Sequence, residues 1–207
     1  MIKTAIFLAE GFEEVEALTV VDLLRRAGIG CDMVSAADKA LVTGSHGITV
    51  KADLPFCDLR IGDYEGVILP GGQPGTANLA DDARILSLLY RFHTAGKLTA
   101  AICAAPTVLA KAGLLTGRKA ICYPGLENRL IDAGAEICKE AVTADGHVIT
   151  SRGVGTAIPF ALAIIEYFQS RDAANKVAKR IVYPTKRQKR REDHESTSDQ
   201  RQSPSEG

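Results

Sequence analysis

The chain has 207 residues, 46% hydrophobic and 24% charged, which are the proportions of an ordinary globular domain with or without an appendage. Its 25 Lys+Arg against 25 Asp+Glu leave no net charge, so nothing in the charge balance favours a nucleic-acid or anionic-membrane partner. Five cysteines at irregular spacing, with no C-x-x-C pair, argue against a disulfide framework or a zinc knuckle and for a reducing cytoplasm.

Taken in chain order, residues 5–9 form a short apolar run with no signal-peptide layout before it, and 14–27 follow with helical periodicity. In that helix Ala17, Val20, Val21, Leu23, Leu24 and Ala27 share one arc, with Asp22, Arg25 and Arg26 opposite and Gly28 as the stop. Glu13 and Glu14 suit the positive end of the helix dipole. Glu16 does not fit so simply, because it projects into the apolar arc. Either it is a buried carboxyl that keeps its proton or finds a donor, or it tilts to the surface at the helix start.

Further apolar runs follow at 31–35, 67–69, 98–102, 119–122 and 148–150, most of them leading into helix-like segments. Uninterrupted apolar strands imply burial on both faces, as in a parallel sheet covered by helices. Residues 41–54 alternate around Gly44 and Gly47 and predict an antiparallel hairpin. The expected architecture is a doubly wound α/β sandwich over residues 1–183. Residues 184–207 contain no Ala, Val, Ile, Leu, Met, Phe, Trp, Tyr or Cys and open on a basic run, Lys186 to Arg191; they predict a disordered, solvated tail.

In open α/β sheets, sites gather at the carboxyl ends of strands. Three such ends carry chemistry-bearing residues: 10–16 with its glutamates, 69–75 with the adjacent glycines Gly71 and Gly72, and 100–109. In the last, an apolar strand ends at Cys103 and a helix follows at once, with Pro106 in its first turn. That layout resembles a nucleophile elbow, and a cysteine before a helix is expected to have a lowered pKa. Cys31, Cys57, Cys122 and Cys138 read as small packed or surface hydrophobes. Phosphate-loop, dinucleotide and metallopeptidase motifs are missing, so no cofactor and no metal are expected. None of His46, His93, His147 or His194 sits obviously after a strand near Cys103. His93 reads as a helix-surface residue and His147 as a turn residue.

The segments Glu-Glu-Val-Glu (13–16), Leu-Pro-Gly-Gly (69–72), Ala-Ala-Ile-Cys-Ala-Ala-Pro (100–106) and Thr-Ser-Arg-Gly-Val-Gly-Thr-Ala (150–157) together resemble the ThiJ/PfpI superfamily, in the branch of the Parkinson-associated protein deglycase. The resemblance spans nearly all of 1–183. It implies a flavodoxin-like three-layer sandwich and a homodimer, with Cys103 as the reactive cysteine and Glu16 as a protonated acidic partner bonded to its thiolate. Gly72 and Ala104 would supply the amides of an oxyanion pocket.

Tyr123, His46, Gly71 and Arg152 are candidate accessories, His46 approaching from a dimer partner. Tyr123 stands where the family often has a histidine; a phenol is a poor general base at neutral pH, which disfavours Cys–His amide hydrolysis. The activity implied is cofactor-independent conversion of reactive dicarbonyls, or their early protein adducts, of the glyoxalase III or deglycase type, in stress protection. A redox sensor or redox-regulated chaperone built on the same cysteine is the alternative. A role with thiamin precursors has no residue in its favour.

Overall fold

The computed structural model describes residues 2–184; the expected tail from 185 onward lies outside the described residues. The chain runs β1 (Lys3–Leu8), α1 (Glu14–Arg26), β2 (Gly30–Ser35), β3 (Leu41–Thr43), β4 (Thr49–Lys51), β5 (Leu54–Pro55), β6 (Gly66–Leu69), α2 (Gly75–Asp81), α3 (Ala83–Thr94) and β7 (Leu98–Ile102). It continues through α4 (Pro106–Lys111), β8 (Lys119–Ala120), α5 (Glu127–Ile131), β9 (Glu136–Ile137), β10 (Val142–Asp145), β11 (Val148–Ser151), α6 (Ala157–Phe168) and α7 (Arg171–Arg180).

Seven strands form the central sheet in the order β10-β11-β7-β6-β1-β2-β5. All neighbours are parallel except β10, which returns antiparallel to β11. The sequence expectation of a helix-covered, mostly parallel sheet is borne out, and the reason is visible in β1. Ala5 and Phe7 point into one apolar layer, with Leu79, Leu88, Val108 and Leu130 of α2 to α5. Ile6 and Leu8 point into the other, with Val20, Leu24, Phe160 and Ile164 of α1 and α6. Side chains alternate across a strand, so a strand covered on both sides must be apolar at every position.

Phe7 is fully buried and meets Phe56 edge-on, ring centroids 4.8 Å apart. Phe7→Ala is expected to lower the unfolding free energy by about 3–5 kcal/mol, read as a fall in the urea midpoint without a change in slope.

Two expected elements differ. The hairpin exists as β3 and β4, paired from Leu41↔Lys51 to Thr43↔Thr49. Leu54, expected inside it, instead joins the edge of the main sheet beside Val34. Of the run 119–122 only the first two residues are strand, and they pair with β9 in a separate two-stranded sheet. The backbone amide of Ile121 is taken by the Thr150 hydroxyl at 3.0 Å, a side-chain contact that diverts the chain from the sheet.

From β1 the chain steps outward through β2 on one side and through β6, β7 and β11 on the other. The switch falls between β1 and β6, where the loops leaving both strands splay apart and open a crevice.

Candidate active site

Cys103 follows β7 with φ +65°, the left-handed region that a non-glycine residue seldom occupies. Such a conformation costs on the order of 1–3 kcal/mol and persists only where its surroundings fix it. Here they do: the Cys103 amide donates to the Ser151 carbonyl at the end of β11 (3.0 Å), and the Cys103 carbonyl accepts from the Tyr123 amide (2.7 Å). The expected elbow is therefore present, with the side chain half-buried and turned into the crevice.

Glu16 comes from the first turn of α1 and is completely buried. Of the two readings left open by the sequence, the buried one is correct. The Gly71 amide donates to Glu16 Oε2 at 2.8 Å, while Oε1 has no partner among the described residues. Burial pushes the Glu16 carboxyl up to about 7, against the lowering effects of the Gly71 amide and Cys103.

The expectation for the thiol is overturned. Burial, then the charge and hydrogen bonding of Glu16, push the Cys103 thiol up to about 12. The helix behind it has six residues and begins three positions later, at Pro106, so its field is small. What favours the thiolate is local: the amides of Ala104 and Gly72, which lower the Cys103 pKa. The two groups titrate as a pair. A first proton leaves near 7 and the second near 12, so between those values the pair shares one proton and one negative charge.

Gly71 sets how closely the pair can approach. A Cβ there would lie 2.6 Å from Cys103 Cβ, 2.8 Å from Glu16 Oε2 and 3.0 Å from Sγ. Gly72, at φ +92°, lets its strand end pass against Phe12 and Glu13, where any Cβ would meet the Glu13 amide nitrogen at 2.4 Å.

The crevice has a volume of about 640 Å³ and is lined by Glu13, Glu16, Ser45, His46, Gly72, Cys103, Tyr123, Arg152 and Gly153, among others. It brings together the expected Cys103, Glu16, Gly72, Tyr123, His46 and Arg152, with Gly71 and Ala104 immediately beneath. His46 reaches it from the β3–β4 turn of its own chain, not from a partner as expected. His93 is part-buried rather than on the helix surface, hydrogen-bonded at 3.1 Å to His147 in the β10–β11 turn.

Residues that sequence reasoning left aside are Ser45, Gly153 and, above all, Glu13. Its side chain caps α1 by accepting from the Glu16 amide at 2.7 Å while its other oxygen faces the crevice. The signal was there, in two glutamates directly before Glu16, but a dipole explanation sufficed for both.

Residues 2–167 match the family described as DJ-1/PfpI. The chain belongs to the DJ-1/PfpI family. Its resemblance in sequence is thus borne out, and so is the fold. The protein dj-1beta of Drosophila melanogaster is 36% identical over 183 residues, covering 88% of this chain and 98% of that one. The solved structure of Drosophila DJ-1beta superposes with a TM-score of 0.85 at 35% identity, over 89% of this chain and 100% of that one. A Pyrococcus horikoshii relative named deglycase PH1704 is 33% identical over 151 residues, 72% of this chain and 89% of that one. A Toxoplasma gondii DJ-1 structure, described as oxidized, has a TM-score of 0.83 at 34% identity, over 89% of this chain and 100% of that one. Among the described residues no helix of this DJ-1/PfpI member is long and apolar enough to cross a membrane.

Proposed function

We propose that this DJ-1/PfpI protein is a cofactor-independent enzyme of small reactive dicarbonyls or their early protein adducts, with Cys103 as nucleophile and Glu16 as the proton carrier. The observation that carries this reading is the closeness of the buried Glu16 carboxyl and Cys103 Sγ, which both press on Gly71. The amides of Ala104 and Gly72 favour the Cys103 thiolate, and the Glu16 carboxyl takes the Gly71 amide on Oε2 while Oε1 has no partner among the described residues. With the carboxyl near 7 and the thiol near 12, the shared proton rests on sulfur at neutral pH, and the Glu16 carboxylate takes it as the sulfur adds to a carbonyl.

The sulfur adds to the aldehyde carbon of methylglyoxal, and the electron pair of the broken C=O π bond goes to oxygen. The amides of Gly72 and Ala104 hold that oxyanion until Glu16 protonates it, giving a hemithioacetal. The Glu16 carboxylate then takes the proton from the sulfur-bearing carbon and returns it to the neighbouring carbon, while the hydroxyl proton passes from the first oxygen to the second, leaving a lactoyl thioester. Water releases lactate and restores the thiolate. From a hemiaminal adduct on a protein amine, the C–N bond breaks first: Glu16 gives its proton to the leaving nitrogen and takes the hydroxyl proton as the C=O bond re-forms, and the freed aldehyde then follows the same steps. The relative named as a deglycase supports this substrate class.

Steady-state methylglyoxal consumption by purified protein, in amine-free buffer, should vanish in Cys103→Ser. Full turnover in that variant would sink the assignment. Below about pH 7 kcat/KM is expected to fall about tenfold per unit as the pair gains its second proton, and to level off above it. A flat profile from pH 5 to 8 would show that the pair is not the reacting group.

A second reading, a redox sensor on the same cysteine, is favoured by the family member described as oxidized. Peroxide would take Cys103 thiolate to sulfenic and then sulfinic acid, the latter held by a protonated Glu16. Cys57 is more exposed and both thiols are held up, but only Cys103 has a buried carboxyl beside it to take its proton and two neighbouring backbone amides that favour its thiolate. Peptide mapping after mild peroxide should therefore find Cys103 modified first; equal modification of Cys57 would count against the sensor.

The five cysteines are all free, which supports a reducing cytoplasmic location. A homodimer is supported by the exposed apolar side chains of Val15 and Ile48, at the adjoining start of α1 and hairpin turn.

A further inference from the structure

Five consecutive residues, 152–156, form one wall of the crevice. They join β11 to α6 through a single 3-10 turn at Val154–Thr156. Gly153, buried in this wall, covers the reacting pair: a Cβ built on it would lie 3.9 Å from Cys103 Sγ and 3.9 Å from Glu16 Oε1. Two backbone amides, of Arg152 and Gly153, stand in the wall, yet among the described residues Oε1 receives no hydrogen bond.

Both amides are spent on Thr156 instead. Its hydroxyl oxygen accepts from Arg152 N–H (3.2 Å) and Gly153 N–H (3.1 Å). Its one hydrogen meets Ser151 Oγ at 2.7 Å, and the Ser151 hydroxyl in turn donates to the Ala141 carbonyl at 2.9 Å. The Gly153 carbonyl, 2.8 Å from the Thr156 hydroxyl, already takes the Thr156 amide. A hydroxyl has one donor and two acceptor sites, so this one is fully used. Ser151 also holds the Cys103 amide on its carbonyl (3.0 Å), which ties the turn to the left-handed residue at the elbow.

We propose that Thr156 is a positioning residue: its hydroxyl closes the 151–155 turn over Cys103 and Glu16 and so keeps water and amide donors from the buried carboxyl. Without that hydroxyl the amides of Arg152 and Gly153 lose their acceptor, and unpaired amides in a partly buried turn draw in water. Water at Oε1, or an amide released toward it, stabilises the carboxylate, so Glu16 ionises at lower pH. The other ionisable groups facing the pair are Glu13 ahead of α1, His46 in the β3–β4 turn, Tyr123 after β8 and Arg152 in the wall itself. A substitution at 156 leaves all four chemically unchanged, and of them only Glu13 acts on the Glu16 carboxyl, raising its pKa. This role presupposes the reacting pair proposed above but not its dicarbonyl substrate, so the test uses none.

The rate of Cys103 alkylation by iodoacetamide, followed by peptide mapping from pH 4.5 to 9, is compared in the native full chain, Thr156→Val, Thr156→Ser and Glu16→Gln. In the native chain the rate is expected to rise with pH to a break near 7, and Glu16→Gln should lack that break. Thr156→Val keeps nearly the shape of threonine without the hydroxyl and should move the break down by about one pH unit. Thr156→Ser keeps the hydroxyl and should break within about 0.3 pH unit of the native chain. A break that stays in place in Thr156→Val, or that moves equally in Thr156→Ser, overturns the role of Thr156 alone. So does an upward move in Thr156→Val with the buried Cys31 and Cys122 alkylated alongside, since that is a loosened fold. A native profile with no break near 7 would overturn the reacting pair, and this role with it.

Discussion

Replacing Glu16 with glutamine is expected to cut kcat/KM for methylglyoxal about 100- to 10,000-fold and, in the same protein, to raise stability at pH 8. The two effects share one cause. An exposed glutamate ionises near 4.5, but burial holds Glu16 protonated up to about 7 in the folded chain. Between those values the unfolded chain has lost the proton and the native chain keeps it, so stability from this group is full below about 4.5 and is lost as pH rises through 7. The difference amounts to about 3 kcal/mol at pH 8. Glutamine can still accept from the Gly71 amide and has nothing to ionise. Thermal unfolding at pH 8 should therefore shift upward by about 5 °C or more in Glu16→Gln, with little change at pH 4.5. A variant that is inactive and equally destabilised at both pH values would mean that Glu16 acts as packing, and the proton-carrier role would fall.

Gly71→Ala should impair catalysis strongly while leaving the fold intact. The backbone there is not left-handed, so alanine meets no conformational penalty, and the whole effect is steric. Its methyl would overlap Cys103 Cβ and Glu16 Oε2, forcing the thiol and carboxyl apart. Overpacking of this kind costs about 1–3 kcal/mol of stability, which a domain of this size survives. A displacement near 1 Å at reacting atoms costs about a hundredfold in rate. The expected result is a folded protein with kcat/KM reduced about a hundredfold or more and an altered rate of Cys103 alkylation by iodoacetamide. Activity within threefold of the native chain would show that the close approach of the two groups is not required.

The chain illustrates how far local pattern carries. Strands β1, β6 and β7 were legible because burial on both faces leaves a nearly continuous apolar run, broken only by Lys3, Thr4 and Thr99, a signal independent of partners. Cys103 was legible because an apolar strand, a small-residue turn and a helix start are contiguous in sequence. The short strands β5 and β9 were not, since two-residue pairings have no period of their own, and the expected run 119–122 is strand only at its first two residues. Leu54 joins β2 and Lys119 joins β9 through contacts set elsewhere in the chain.

Within the site, sequence alone determined which residue types would converge: an acid after β1, glycines after β6, a cysteine after β7. A doubly wound sheet puts those loops on one edge. Only the tertiary structure decided that Glu16 is buried against Sγ, that the thiol pKa rises where a helix terminus suggested a fall, and that His46 closes over Glu13 and Glu14. The physical reason is common to all three. Desolvation and proton sharing depend on what packs around a group in three dimensions, and the partners here are 55 residues apart for Glu16 and Gly71, and 32 for Glu14 and His46.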